Sequence, residues 1–243
     1  MPVNPGLATT IQAGVPYYRI TSIAHLTRSA RLHKNVVNGQ GCFRNTDGGR
    51  YNESCTVTVY MTEVPKTCFA EQMFYFHREV LSKLDFAHKN RLSLPAFQNK
   101  VILWEVLFQN AIPNALELTT ANASAVNVFP CLMLNPSQDY EHLKERRKHI
   151  QCGGYSGLIA PSTRCRSAPP GNLVVVFSDQ SKNVQQITPF ECDIRLITKS
   201  GGAFINHATD DLDFTAGEVK LTGSPLPTSL QVYSSWQHIP FNH

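Results

Sequence analysis

The sequence predicts an α+β fold. Several short stretches alternate apolar and polar residues with a period of two, one longer stretch carries the helical period, and the two kinds do not interleave in a regular strand–helix–strand rhythm. The third observation disfavours a doubly wound parallel sheet, which needs that rhythm.

The elements follow in order. A first strand is read at residues 17–23, after a Pro- and Gly-containing entry. Residues 26–45 are polar and irregular and read as loop. At residues 56–61 the alternation is strict, with Val57, Val59 and Met61 on one face and Thr56, Thr58 and Tyr60 on the other. Pro65, suited to a first helical turn, and Leu84 bracket a helix. Within it Phe69, Met73, Phe76 and Val80 recur at spacings of four, three and four and make one buried stripe, with Glu71 away from it. The dense apolar run at residues 101–108 predicts a central strand. Residues 139–151 read as a polar helix, with Ser137 before it as a candidate N-cap.

Short buried strands are read at residues 157–160 and 172–177, and Cys192, Ile194 and Leu196 share one face of another. The tail is richer in Gly, Pro, Thr and Ser, with strand-like pieces at residues 203–206, 218–221 and 229–233. The organisation expected is a lead-in over residues 1–16, one domain over 17–198, and a strand-rich extension over 199–243 packed on the same domain.

Composition excludes several classes. A 243-residue chain with 42% hydrophobic and 16% charged residues can bury a full core. The net charge of +4 is mild, and the densest basic cluster (Lys144, Arg146, Arg147, Lys148) reads as the solvated face of a helix, so no nucleic-acid partner is expected. No apolar run approaches ~20 residues, so no membrane span is expected. Residues 1–15 lack the basic start and apolar run of a secretory signal. The expected location is therefore cytoplasmic, in the chain's own cell or in a target cell after specialised export. The seven cysteines form no Cys-x-x-Cys pair and the nine histidines are scattered, so a metal is not expected and the thiols read as small buried apolar residues. Asn52 and Asn122 stand in glycosylation sequons that no secretion signal supports.

The chemistry-bearing residues concentrate between residues 48 and 72. Gly48-Gly49 lets the backbone approach a ligand closely, and Arg50 beside it offers a planar set of donors suited to phosphate or carboxylate. The strand and helix that follow aim an aromatic, Tyr60, and a carboxylate, Glu71, at one place. Such a set fits an anionic ligand with a nearby centre of developing positive charge, a description nicotinamide dinucleotides meet. By spacing alone Glu71 reads as a solvent-facing helix residue and Tyr60 as a sheet packer.

The ordered segments resemble the RES domain, a family named for recurrent Arg, Glu and Ser positions. Tyr18-Arg19 lies in the first strand, and Gly48-Gly49-Arg50-Tyr51-Asn52 stands where the family has Gly-Gly-Arg-Trp-Asn. Val59-Tyr60-Met61 corresponds to its aliphatic-Tyr-aliphatic strand, with Glu71 eleven residues after Tyr60 as in the family's helix. Gly157 through Pro161-Ser162, then Gly171 through Phe177, resemble its Gly-aliphatic-x-x-Pro-Ser segment and closing strand. The resemblance covers residues 17–198. Departures are a longer stretch between Arg19 and Arg50, Tyr51 in place of the usual Trp, and a tail without counterpart in compact members.

The resemblance implies an ADP-ribosyltransferase-like split sheet and an NAD-consuming toxin, with NAD as substrate and a neutralising antitoxin or immunity protein as partner. It implies Glu71, Arg50 and Tyr60 as catalytic residues. Arg19, Arg50, Tyr51, Asn52, Tyr60 and a serine would bind the dinucleotide, and either Ser137 or Ser162 fits the serine. Water or phosphate is the expected acceptor. Transfer of ADP-ribose to a protein is the alternative, and a catalytically silent nucleotide-binding module stands behind both. The tail could cap the site, mediate homo-oligomerisation or dock a partner.

Overall fold

The computed structural model describes residues 5–22, 36–37, 57–90, 98–118, 153–162, 164–165, 171–197, 216–223 and 225–241. Its strands are β1 (Ala8–Ile11), β2 (Pro16–Ser22), β3 (Val59–Thr62), β4 (Gln98–Phe108), β5 (Ile112–Glu117), β6 (Gly157–Pro161), β7 (Asn172–Val176), β8 (Val184–Ile197), β9 (Ala216–Thr222) and β10 (Gln237–Pro240). One long helix, α1 (Pro65–Asn90), follows β3. The fold is α+β.

Among the described residues the ten strands join in the order β1-β5-β6-β7-β3-β2-β4-β8-β9-β10. Neighbours are antiparallel except β5 and β6, which run parallel. The sheet is almost split at its middle, because β2 and β3 meet at a single residue pair, Tyr18 with Thr62. On the far side of β2 the pairing with β4 runs unbroken from Pro16–Leu107 to Ser22–Val101. Each half therefore holds five strands. β1 comes from the segment expected as a lead-in, and β9 and β10 come from the expected extension and continue the sheet.

Two apolar clusters fix this arrangement, one on each face. The first joins Phe69, Met73, Phe76, Val80 and Leu84 of α1 to Val101 and Leu103 of β4, to Cys192, Ile194 and Leu196 of β8, and to Val219 and Leu221 of β9. The second gathers Ile102, Trp104, Val106 and Phe108 of β4 with Val59 and Met61 of β3 and Val174 and Val176 of β7. β4 is buried on both faces, which is why its sequence reads as a near-continuous apolar run. Val36 and Val37, within the stretch read as loop, are buried in the second cluster. The Val37 carbonyl accepts the Gln180 N–H at 3.0 Å.

Several expectations are corrected. α1 continues past Leu84 to Asn90 because Leu84 and Ala87 extend the buried stripe. Val57, assigned to the aliphatic face, precedes β3 and is exposed. The stretch read as a strand at residues 229–233 is a 3-10 helix, Thr228–Ser234. There Leu230 and Tyr233, three apart, are buried together while Val232 faces solvent, and a period of three is that of the tighter helix. The predicted helix at residues 139–151 and strand at 203–206 lie outside the described residues.

Met73 lies at 0% exposure in the cluster beneath α1, whereas Val232 is 57% exposed. Met73→Ala is expected to lower the unfolding free energy by about 2–5 kcal/mol. Val232→Ala should change it by about 0.5 kcal/mol or less. Urea denaturation of both variants checks the contrast.

Candidate functional site

The break between β2 and β3 defines the site. Had the antiparallel register continued from Tyr18–Thr62, Arg19 would face Met61 and Ile20 would face Tyr60, but neither pairing is made. Arg19 and Tyr60 thus stand at opposite borders of the gap. Tyr60 is half-buried and lies on the face of β3 opposite Val59 and Met61, the face that carries α1.

The first turns of α1 occupy the end of this gap. The Cys68 sulfur is set beside the Ile20 N–H, which has no β3 partner, and beside Thr62, whose hydroxyl donates to the Val64 carbonyl at 3.0 Å. Burial is the chief reason the Cys68 thiol is pushed up to about 12, with the Glu71 carboxylate raising it further and the Arg19 guanidinium drawing it down. One sulfur thus stands within electrostatic reach of both charged groups. Burial also pulls the Arg19 guanidinium below its ordinary range, although arginine keeps its charge near neutral pH. Its Nη1 is enclosed and has no hydrogen-bond partner among the described residues.

Glu71 sits in the second turn of α1 and is half-buried. The Ser162 hydroxyl donates to its Oε1 at 2.6 Å. Ser162 follows β6 directly and is itself buried. Its backbone N–H donates to the Gly171 carbonyl at 2.9 Å, and its Oγ accepts the Arg164 N–H at 3.1 Å. Gly171, just before β7, lies close against α1, since a Cβ there would fall 1.8 Å from the Thr67 Oγ1. Proximity to α1 carries Ser162 to Glu71.

Of the sequence-predicted residues, Arg19 and Tyr60 border the gap from opposite faces of the sheet, Arg19 on the face of its β4 partner Trp104, and Ser162 is bonded to Glu71. Arg50, Tyr51, Asn52 and Ser137 lie outside the described residues. Between the two candidate serines, Ser162 is the one seen bonded to the glutamate. Sequence reasoning gave Cys68 only the place of a small buried apolar residue, which it has, and gave Arg164 no role. Arg164 is buried, with its guanidinium carbon 3.9 Å from the centroid of the Phe74 ring. Its place directly after the Pro-Ser segment was the available signal. Among the described residues no group of three or more His, Cys, Asp or Glu could hold a metal ion, and no helix is long and apolar enough to cross a membrane.

No family model matches the chain, and no curated protein matches it. Among solved structures it is similar to a chain of the M. tuberculosis MbcT–MbcA toxin–antitoxin complex, with 16% identity and a TM-score of 0.39 over 74% of this chain and 86% of that one. A likeness of that strength leaves function to the site's own geometry.

The raised thiol has a consequence for stability. A free cysteine ionises near ~8.5 in an unfolded chain, while Cys68 in the fold does so only at about 12. Its contribution is therefore complete below the unfolded value and is lost as pH climbs between the two. Tyr233, also pushed up to about 12 by burial, adds to the same trend from its ordinary value of 10.0. Unfolding free energy measured by urea should fall progressively above pH ~8.5. Peptide mapping after treatment with a small thiol reagent at pH ~8 should find Cys68 unmodified in the native protein. Labelling at the rate of an unfolded chain would contradict the assignment.

Proposed function

We propose that this chain is an NAD-cleaving toxin of the RES type, releasing nicotinamide and passing ADP-ribose to water or phosphate. The observation that carries the reading is the Ser162–Glu71 hydrogen bond at 2.6 Å, which fixes a carboxylate beside the sheet break that Arg19 and Tyr60 border. The enclosed Arg19 Nη1 supports it, because a buried cation is a natural holder of a pyrophosphate oxygen.

The chemistry suits these groups. The C–N bond between ribose and nicotinamide breaks, and its electron pair goes to the ring nitrogen. Nicotinamide therefore leaves neutral and needs no proton donor. The anomeric carbon becomes oxocarbenium-like, as in glycoside cleavage. Glu71 stabilises that charge, with Ser162 holding Oε1 and leaving Oε2 towards the ribose. Because the charge develops only in the transition state, the interaction lowers the barrier without tightening substrate binding equally. Water or phosphate then forms the new C–O bond and releases its proton to solvent. Arg19 and Arg50 hold the pyrophosphate, and Tyr60 packs on or bonds the nicotinamide-ribose end. Tyr51 supplies an aromatic wall, while Asn52 and Ser137 offer further polar contacts. The same resemblance assigns a neutralising antitoxin or immunity protein as partner.

Incubation with NAD, following nicotinamide and identifying the second product, tests the reading. Glu71→Ala should lower kcat by about 100-fold or more, a loss of roughly 3 kcal/mol in transition-state stabilisation, with an unchanged unfolding midpoint. Parental turnover in that variant would remove Glu71 from the mechanism. Arg50→Ala should act mainly on KM, the signature of lost substrate binding. ADP-ribose recovered on a partner protein rather than free would replace the water or phosphate acceptor with a protein.

A further inference from the structure

The turn that carries Ser162 is braced from the far end of the sequence. Beyond Ser162, Arg164 lays its guanidinium over Phe74, and Cys165 forms an isolated antiparallel bridge with Phe241. Phe241 directly follows β10 and is fully buried, and its ring centroid lies 5.8 Å from that of His77. Glu71, Phe74 and His77 follow at intervals of three along α1. Ser162, Arg164 and Cys165 are thus fastened along one side of the helix: Ser162 on Glu71, Arg164 on Phe74, and Cys165 on Phe241 beside His77. β10 is in turn anchored through β9 to β8, from Ile239–Gly217 and Ile194–Val219 among other pairs.

From this chain of contacts we propose that Phe241 is a positioning residue for Glu71. It acts through the Cys165 bridge and the Arg164 N–H that Ser162 Oγ accepts, so that the tail completes the site without touching substrate. The assignment rests on the reading of Glu71 given above. Its physical basis is a buried aromatic held on two sides, by the helix and by a backbone bridge, so that removing it frees Cys165 from one of its neighbours. The Ser162 hydroxyl would then sample positions from which it no longer orients the carboxylate. Misplacement of a reacting group by about an ångström is enough to cost about 100-fold in rate.

The test is a double-mutant cycle on the full chain with NAD as substrate, combining Phe241→Ala with Ser162→Ala. Phe241→Ala is expected to lower kcat by about tenfold with KM within about twofold, and to add less than about twofold once Ser162 is already alanine. An equal tenfold loss in both backgrounds would overturn the proposal, because a purely structural role is additive. Phe241→Leu, which keeps apolar volume, should reduce the loss to about threefold. If the alanine variant does not fold, the leucine variant enters the same cycle with a loss of about threefold expected.

A second readout needs no substrate. Exchange of the Arg164 amide should quicken by about tenfold or more in either Phe241 variant, while the Leu103 amide in β4 keeps its protection. Unchanged Arg164 exchange would overturn the proposal whatever the activity. Wild-type protein that leaves NAD intact, with Arg164 exchange still released by the variant, would sink the NAD reading alone and leave the brace standing.

Discussion

α1 begins where β2 and β3 separate after one residue pair, and the site depends on how that break is sealed. A sheet opened in its middle exposes backbone groups that a neighbouring strand would otherwise satisfy, and leaving them buried and unpaired is costly. The first turns of the helix cover that place, with the Cys68 sulfur set beside the Ile20 N–H. A thiol is a weak acceptor but fits where a full strand does not. This arrangement keeps the gap open between Arg19 and Tyr60 while placing Glu71 one turn further along the helix.

Packing on both sides makes the break sustainable. The stripe on α1 spreads over β4, β8 and β9, so the helix is held chiefly by the half of the sheet beyond β2. β3 and β7 are secured instead through the opposite face, by Val59, Met61, Val174 and Val176. The two faces of the sheet thus have separate cores and share β4, buried from both sides. The tail belongs to the first core. Arg195 of β8 donates from Nε to Glu218 of β9 at 2.7 Å, and its guanidinium carbon lies 4.0 Å from the ring centroid of Trp236, just before β10. Leu230, Tyr233, Ile239 and Phe241 bury their side chains in the same cluster as α1.

The parts of this architecture that were legible in the sequence are those where one physical signal dominates. The α1 stripe shows through because a long helix must repeat its buried residues at its own period. β4 shows through because burial on both faces leaves little room for polar residues. β5 escaped notice because Pro113 and Asn114 interrupt it, the latter with φ of 58°. The first half of β8 was hidden by Gln185, Gln186, Thr188 and Pro189, polar or strand-averse residues whose pairing with β4 is dictated by the partner strand. In the tail, Leu230 and Tyr233 suggest either period until the neighbouring core chooses. The site divides in the same way. Glu71 and Tyr60 carried a motif, and the fold brings Ser162 to the glutamate from a distant segment. The contribution of Cys68 is tertiary and no local pattern announces it, while Arg164 had only its place near the Pro-Ser segment as a signal.

The Ser162–Glu71 contact spans 91 residues of chain. β3 and α1 are sequence neighbours and can associate early, but β6 and β7 reach β3 only after a long loop has closed, an entropic cost met late in folding. A half-folded chain would carry the carboxylate without its partner, so this hydrogen bond can form only once distant strands have found their places.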